Sequence, residues 1–362
     1  MRLLLLDQPY FRAALTALGH EVRCVARSVF HDPRQPLDLI LPRVPIAFQW
    51  VLDSLAPWRP DWIFLGDDST FPHYLGLEMT RIPLAWYAVD THIHHQWHPL
   101  YASAWDLIFV CQQDSLSLYQ VPGGPPVHWL PVFSYLFRDR WLDLEPEHAI
   151  SFVGNLDPGL KPERARFIGA LGQRIPLHLA QGDYVEVFNR SHMVINQTAA
   201  GDLNFRVFEA LACGTLLLTE RIGNGQNDLL RDGEHLVLYE AGNVAQVVDL
   251  YHRFLTDEPA RRRIARQGLA EVRAHHTDRA RAEAVMARIS ALDPQAVVQS
   301  RLARLAAVER NLAPIMARAA TIHRHFAAAA PPGRRQDDLT RMARQYQTLA
   351  ETLQARFGRS EA

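Results

Sequence analysis

The chain has 362 residues, 48% of them hydrophobic, and a formal net charge of −1. That is long enough for two ordinary domains and a remainder, and apolar enough for real cores, which excludes a disordered chain. A near-neutral charge gives no reason to expect nucleic acid or an anionic membrane as the main partner.

The opening RLLLL is a continuous apolar run, the pattern of a central parallel strand. It stops at Asp7 after four leucines, too soon for an export signal, and no later stretch reaches the length of a membrane span. A helix over 11–18 ends at Gly19, and HEVRCVA is the next strand. AFQWVLDSLAPW reads as a helix, and DWIFLGDDS, PLAWYAVDTH and DLIFVCQ as strands. Strands alternating with helices predict a doubly wound α/β sheet, whose ligands bind beyond the carboxyl ends of the strands. Asp67, Asp68, Asp90 and His92 fall at those ends. Asp67 and Asp68 are also suited to capping the following helix.

VPGGPPVHWLP, residues 121–131, is rich in Pro and Gly and reads as a linker. The pattern then restarts. Strands are expected at AISFVGNL, IPLHLAQG, HMVINQT, TLLLTE and HLVLYE, with helices at PERARFIGALGQ, YVEVFNRS, 244–255 and 259–275. Two similar α/β halves joined by such a linker suggest a cleft between them. From about 294 to 357 the chain looks wholly helical and rich in Ala and Arg, with AAAAPPGRR splitting it into two helices. This tail reads either as a hairpin on its own chain or as a surface for a homo-oligomer or protein partner. The predicted division is 1–130, 131–290 and a helical extension over 291–362.

Cys24, Cys111 and Cys213 have no CxxC-type spacing. Neither a disulfide framework nor a zinc site is expected, and a reducing, cytoplasmic compartment is the default. THIHHQWH holds His92, His94, His95 and His98. Alternate positions share a face if the segment is extended, but no partner cluster completes a metal site, so none is expected.

NFRVFEALACGT, residues 204–215, is apolar on nearly every side. At about 100° per residue, Asp202, Arg206, Glu209 and Cys213 fall within an arc of roughly 60°. Asp202 or Asn204 suits the start and Gly214 the end. The polar stripe is either a self-satisfied set, Asp202 to Arg206 and Arg206 to Glu209, or the lining of a cleft.

NFRVFEALACGTLLLTE, followed by LLRDGEHLVLYE, resembles the sugar-nucleotide-binding region of GT-B glycosyltransferases, and most closely the spore-maturation-type branch. FVGNLDP at 152–158 resembles the first strand and loop of their second domain, and LAWYAVDTHIHH with DLIFVCQQDS the later part of their first. The resemblance covers roughly residues 1–290 and leaves out the tail. It implies two Rossmann-like domains facing across a cleft. It also implies metal-independent transfer of a sugar from a nucleoside-diphosphate sugar, such as a UDP-sugar, to an acceptor hydroxyl, with no other cofactor. Glu209 would accept hydrogen bonds from the ribose hydroxyls, for which a carboxylate has the capacity.

The leaving diphosphate gathers negative charge, which fixed donors stabilise. Asn204 and Arg206 lie in the first turn of the striped helix, where free N–H groups favour anions. Arg206 is the leading diphosphate contact, with an internal pair to Glu209 as its alternative. Lys161 and Arg164, near Asn155, are further phosphate candidates, because Asn155 stands where many relatives carry arginine. Arg166 follows the same FVGNL strand and is another. Gly154 lets the backbone approach a ligand. Gly223 and Gly225 belong to a loop that either wraps the ligand or merely connects. His92 is the candidate general base, with Asp90 as the carboxylate that could orient it. Gly201 stands where the wider retaining group often carries a second glutamate, which leaves sugar and stereochemistry open. A catalytically degenerate binding module and an epimerase or phosphorylase on the same architecture remain the alternatives.

Overall fold

The computed structural model describes residues 1–30, 32–198 and 200–357. In chain order it begins with β1 (Arg2–Asp7), α1 (Arg12–Ala17), β2 (Glu21–Ala26), β3 (Leu39–Ile40), β4 (Ile46–Ala47), α2 (Phe48–Ser54) and β5 (Trp62–Gly66). Next come β6 (Tyr74–Leu75), β7 (Leu84–Ala88), α3 (Thr91–His94), α4 (His98–Tyr101), β8 (Leu107–Val110) and β9 (Val127–Trp129). The middle holds β10 (Ile150–Val153), α5 (Pro162–Gly172), β11 (Leu177–Ala180), α6 (Val185–Asn189), β12 (Met193–Asn196), α7 (Phe205–Ala212) and β13 (Leu216–Glu220). It ends with α8 (Gln226–Leu229), β14 (Val237–Tyr239), α9 (Val244–Thr256), α10 (Glu258–His275), α11 (Asp278–Ser290), α12 (Pro294–Ala303), α13 (Leu305–Ala329) and α14 (Arg334–Phe357).

Two compact units result. One holds Met1–Val110, Ser115–Trp129 and the chain from Val285 onward; the other holds Cys111–Asp114 and Leu130–Ala284. In the first, seven parallel strands run in the order β3-β2-β1-β5-β7-β8-β9. Leu3, Leu4, Leu5 and Leu6 are all buried, as a central strand covered on both faces requires. In the second, five parallel strands run β11-β10-β12-β13-β14. Its core gathers Phe152, Ile195 and Leu218 from the sheet with Phe167, Val247 and Ile264 from the helices.

The linker segment differs from the reading as pure connection. Val127–Trp129 forms the edge strand β9, with Val127 in register with Ile108. A turn closed by Gly124 N–H to the Val121 carbonyl precedes it. Three residues are too short for an alternating pattern to stand out among prolines.

The tail has three helices rather than two. The break between α12 and α13 falls at Arg304, with no Gly or Pro to announce it. Pro314 sits inside α13 without ending it. The tail belongs to the first unit: Leu312, Ala313, Ile315, Met316, Ala319 and Ala320 of α13 join one core with Trp86, Tyr101 and Trp105. Arg301 of α12 is fully buried, 3.2 Å from Asp106, and donates to the carbonyls of Glu78, Thr80 and Ile82.

Candidate functional site

The approach to α7 is tightly held. The Thr198 N–H and hydroxyl both donate to Glu220 at 2.9 Å, tying the end of β12 to the end of β13. Leu203 N–H donates to the Gln112 side-chain oxygen at 2.9 Å, and the Gln112 amide donates back to the Leu203 carbonyl at 3.2 Å. Asn204 is the extended N-cap residue of α7, yet no side chain caps the helix. Asp202 Oδ1, Asn204 Oδ1 and Arg206 Nη1 are buried without a hydrogen-bond partner among the described residues. Buried polar atoms are seldom left so, and a helix start adds free N–H groups beside them. Gly214 closes the helix at φ 74°, the left-handed cap that the sequence suggested.

Glu209 is 7% exposed. One oxygen accepts from Arg138 Nη2 at 2.8 Å, and the other lies 3.2 Å from Arg206 Nη1. Arg138 also donates to Asp139 at 2.8 Å, and the Tyr184 hydroxyl donates to the same Asp139 oxygen at 2.6 Å. The Arg206 guanidinium lies over the Tyr184 ring, 4.4 Å from its centroid. Burial raises the Glu209 pKa against the pull of Arg206 and Arg138. The internal pair of Arg206 with Glu209 is therefore present, but a second guanidinium shares the carboxylate. Two arginines balance the two carboxylates Glu209 and Asp139, so a diphosphate would need further cations.

Arg164 is the nearest one the sequence offers. It donates to Gln197 through Nε at 3.1 Å and to the Gln197 carbonyl at 2.9 Å. Burial lowers its pKa, and the charges of Asp202 and Arg206 both act on it, which puts it beside the start of α7. Lys161 is half-buried at the N-cap of α5, and Arg166 is exposed. Asn155 accepts from Asp157 N–H at 2.8 Å and closes a local turn. A Cβ on Gly154, just past β10, would lie 2.8 Å from the Phe152 ring. The loop with Gly223 and Gly225 is held by its own chain: Asn224 N–H donates to Asp114 at 3.0 Å, and Asn224 donates to the Gly201 carbonyl at 2.9 Å. Gly201 has φ 69° and open space where a side chain would stand.

In the first unit the strand ends carry a dense polar group. Asp67 is buried and accepts from the N–H groups of Ser69, Val89 and Asp90 at 2.8–3.0 Å. It therefore ties the end of β5 to the end of β7, while Asp68 accepts from Thr70 and pairs with Arg27 at 2.7 Å. Burial, with the Asp90 charge next, pushes the Asp67 pKa up to about 7. Asp90 is the N-cap residue of α3, half-buried, and among the described residues no hydrogen bond joins its carboxylate to His92. His92 is half-buried with Nδ1 unpartnered.

The histidine run is not extended. It forms α3 and α4, so alternate residues do not share a face. His98 is sealed against Tyr119 at 2.9 Å, His94 bonds Ser69 and Trp97, and His95 is exposed. Ligand atoms of Asp7, Asp68 and His73 lie within 4.8 Å of one another. They are already engaged: His73 bonds Asp7 at 3.0 Å, Tyr74 donates to Asp7 at 2.8 Å, and Arg27 holds Asp68. Asp7 does so from a left-handed backbone, φ 62°. Nothing in the local pattern of His73, Arg138, Asp139, Tyr184 and Gln112 marks them, whereas Asp7 had a signal in its place at the carboxyl end of β1.

Comparison with known proteins adds to this geometry. Residues 138–287 match the family model described as glycosyl transferase-like. No curated protein sequence matches the chain. Among solved structures, HepE of Anabaena in complex with UDP and glucose aligns with a TM-score of 0.61 at 13% identity, over 81% of this chain and 100% of that one. Sucrose-phosphate synthase of Thermosynechococcus elongatus aligns at 0.56 and 13% identity, over 80% and 98%. An α-glucosyltransferase in complex with UDP-glucose and DNA containing an abasic site aligns at 0.58 and 12% identity, over 80% and 99%. The chain thus has the GT-B fold: two parallel-sheet, Rossmann-like units with a C-terminal α-helical extension.

Proposed function

We propose that the protein is a glycosyltransferase that moves a sugar from a UDP-sugar to an acceptor hydroxyl. The observation that carries this reading is the start of α7. There a buried carboxylate, Glu209, is held between two guanidiniums, and the buried side-chain oxygens of Asp202 and Asn204 have no hydrogen-bond partner among the described residues. Solved structures of the same fold hold UDP and UDP-glucose, which makes uridine the first base to test. In this reading Glu209 takes the ribose hydroxyls, while Asn204, Arg206 and the helix N-terminus take the diphosphate. Gly154, Asn155, Lys161 and Arg164 border the same ligand. Asp90 and His92 serve the acceptor as orienting carboxylate and general base. No metal takes part in the scheme. The spore-maturation-type branch, a cytoplasmic location and a role in glycan or glycoprotein synthesis belong to the same proposal.

Calorimetric titration with UDP tests it. Saturable binding is expected, and Glu209→Gln should weaken it roughly tenfold, the worth of one charged hydrogen bond. Absence of UDP binding, or equal binding by the variant, would overturn the assignment. Gly201 favours a second reading, a module that binds the nucleotide without transfer, because no carboxylate stands at that position. Sound UDP affinity with no sugar released to any acceptor, or to water, would select it.

A further inference from the structure

The tail helix α13 and the strand-end loops of the first unit together enclose a pocket of about 360 Å³. Its walls are apolar and partly aromatic: the Phe71 and Trp97 rings lie 5.4 Å apart, tilted by 33°, and Ile93 and Ile322 border them. Phe326 stands at the edge, 54% exposed, and Ile93 is 51% exposed. Large apolar side chains left in solvent around a concavity mark a binding surface.

The polar groups of the pocket have fixed roles. The Trp97 indole N–H donates to His94 Nδ1 at 3.2 Å, so that nitrogen carries no proton. The neutral ring must then be protonated at Nε2, which donates to Ser69 Oγ at 2.9 Å. The Ser69 hydroxyl hydrogen is left to point elsewhere, and Ser69 lines the pocket. Ser69 has φ 63°, a costly backbone for a residue with a side chain. On α13, His323 Nδ1 lies 2.7 Å from the Ala319 carbonyl and must donate to it, leaving Nε2 as an acceptor. Arg318 also lines the pocket, exposed and in no hydrogen bond or ion pair among the described residues. No Asp or Glu lines it. The site therefore offers one unopposed cation, one free hydroxyl donor and one ring-nitrogen acceptor between apolar, partly aromatic walls.

We propose that this pocket binds the acceptor, and that the acceptor has a flat apolar body bearing one anionic group and a hydroxyl. A neutral sugar would find few partners here, and a cation would meet Arg318 unscreened. The identification of the occupant as acceptor rests on the transferase reading. It also gives the appended tail a part in choosing the substrate. α3 carries both Ile93 and His94 of the pocket and His92, with Asp90 at its N-cap, so part of the pocket lining and the proposed base share one short helix.

The probe is 6-hydroxy-2-naphthoate, with its neutral methyl ester as comparison, titrated into the full chain by fluorescence. Saturable binding of the carboxylate is expected, roughly tenfold tighter than the ester. Arg318→Gln should remove that difference, and Ile322→Asp should weaken both ligands. Arg318 is exposed, so its substitution leaves the fold intact, which a melting curve checks. Neither substitution should alter UDP affinity. Failure of UDP to bind while the naphthoate result holds would sink the transferase reading and spare the pocket. Absence of naphthoate binding, or equal binding of acid and ester, or indifference to Arg318→Gln, would overturn the pocket assignment.

Discussion

His276 lies buried with Nδ1 3.0 Å from an Arg281 guanidinium. A guanidinium only donates, so this nitrogen must keep its lone pair. Burial, and next the Arg281 charge, lower the ring's pKa from 6.5 to about 4. The unfolded chain then takes up the proton first as pH falls. The stabilising contribution is complete above the ordinary histidine value and declines as pH drops from 6.5 towards 4. The whole interval is worth on the order of 3 kcal/mol. His276→Gln keeps an acceptor for Arg281 without titrating. Urea midpoints at neutral and at mildly acid pH should differ less in this variant than in the parent, and an unchanged pH slope would remove His276 from the account. The same scale shows what a sequence reveals of a site. Arg206 and Glu209 stood out because a helical wheel put them on one stripe. Arg138 reaches the same carboxylate from 71 positions away, and no local pattern records such a meeting.

At the level of elements, helices and strands follow from periodicity, while the tail shows how their docking is settled. α12 is held by Arg301, whose guanidinium meets Asp106 at 3.2 Å in a spot closed to water. Burial raises Asp106 to about 6 although Arg301 pulls it down, so the pair compensates a charge that is costly to bury. Removing only the cation should be severe. Arg301→Met is expected to destabilise by about 3–5 kcal/mol, read from urea denaturation. Adding Asp106→Asn should restore part of the loss by discharging the orphaned partner. A loss near zero in the single variant would show that α12 is not anchored there. Periodicity gave the tail its helical character, but not the junction at Arg304, where no helix-breaking residue marks the end of α12.

For the molecule as a whole, a ligand that binds only the native state raises its stability by mass action. UDP at about a hundred times its dissociation constant should add roughly 2.7 kcal/mol, seen as a rise in melting temperature. The rise should exceed that given by GDP, and it should shrink in Glu209→Gln. Equal shifts from both nucleotides would withdraw uridine from the proposal. Two α/β halves were legible in the sequence, since alternating apolar strands and helices, restarted after a Pro/Gly break, admit few arrangements, and the resemblance of the motifs in the second half implied the GT-B fold. So was the special character of the 204–215 helix. These are local properties: each depends on side-chain spacing within one element, and the chain carries that spacing wherever it goes. The company kept by Glu209, the helical course of the histidine run, the edge strand hidden in the linker and the docking of the tail on the first unit all depend on residues far apart in sequence. Only packing brings them together, because contact energies act across space while sequence patterns act along the chain.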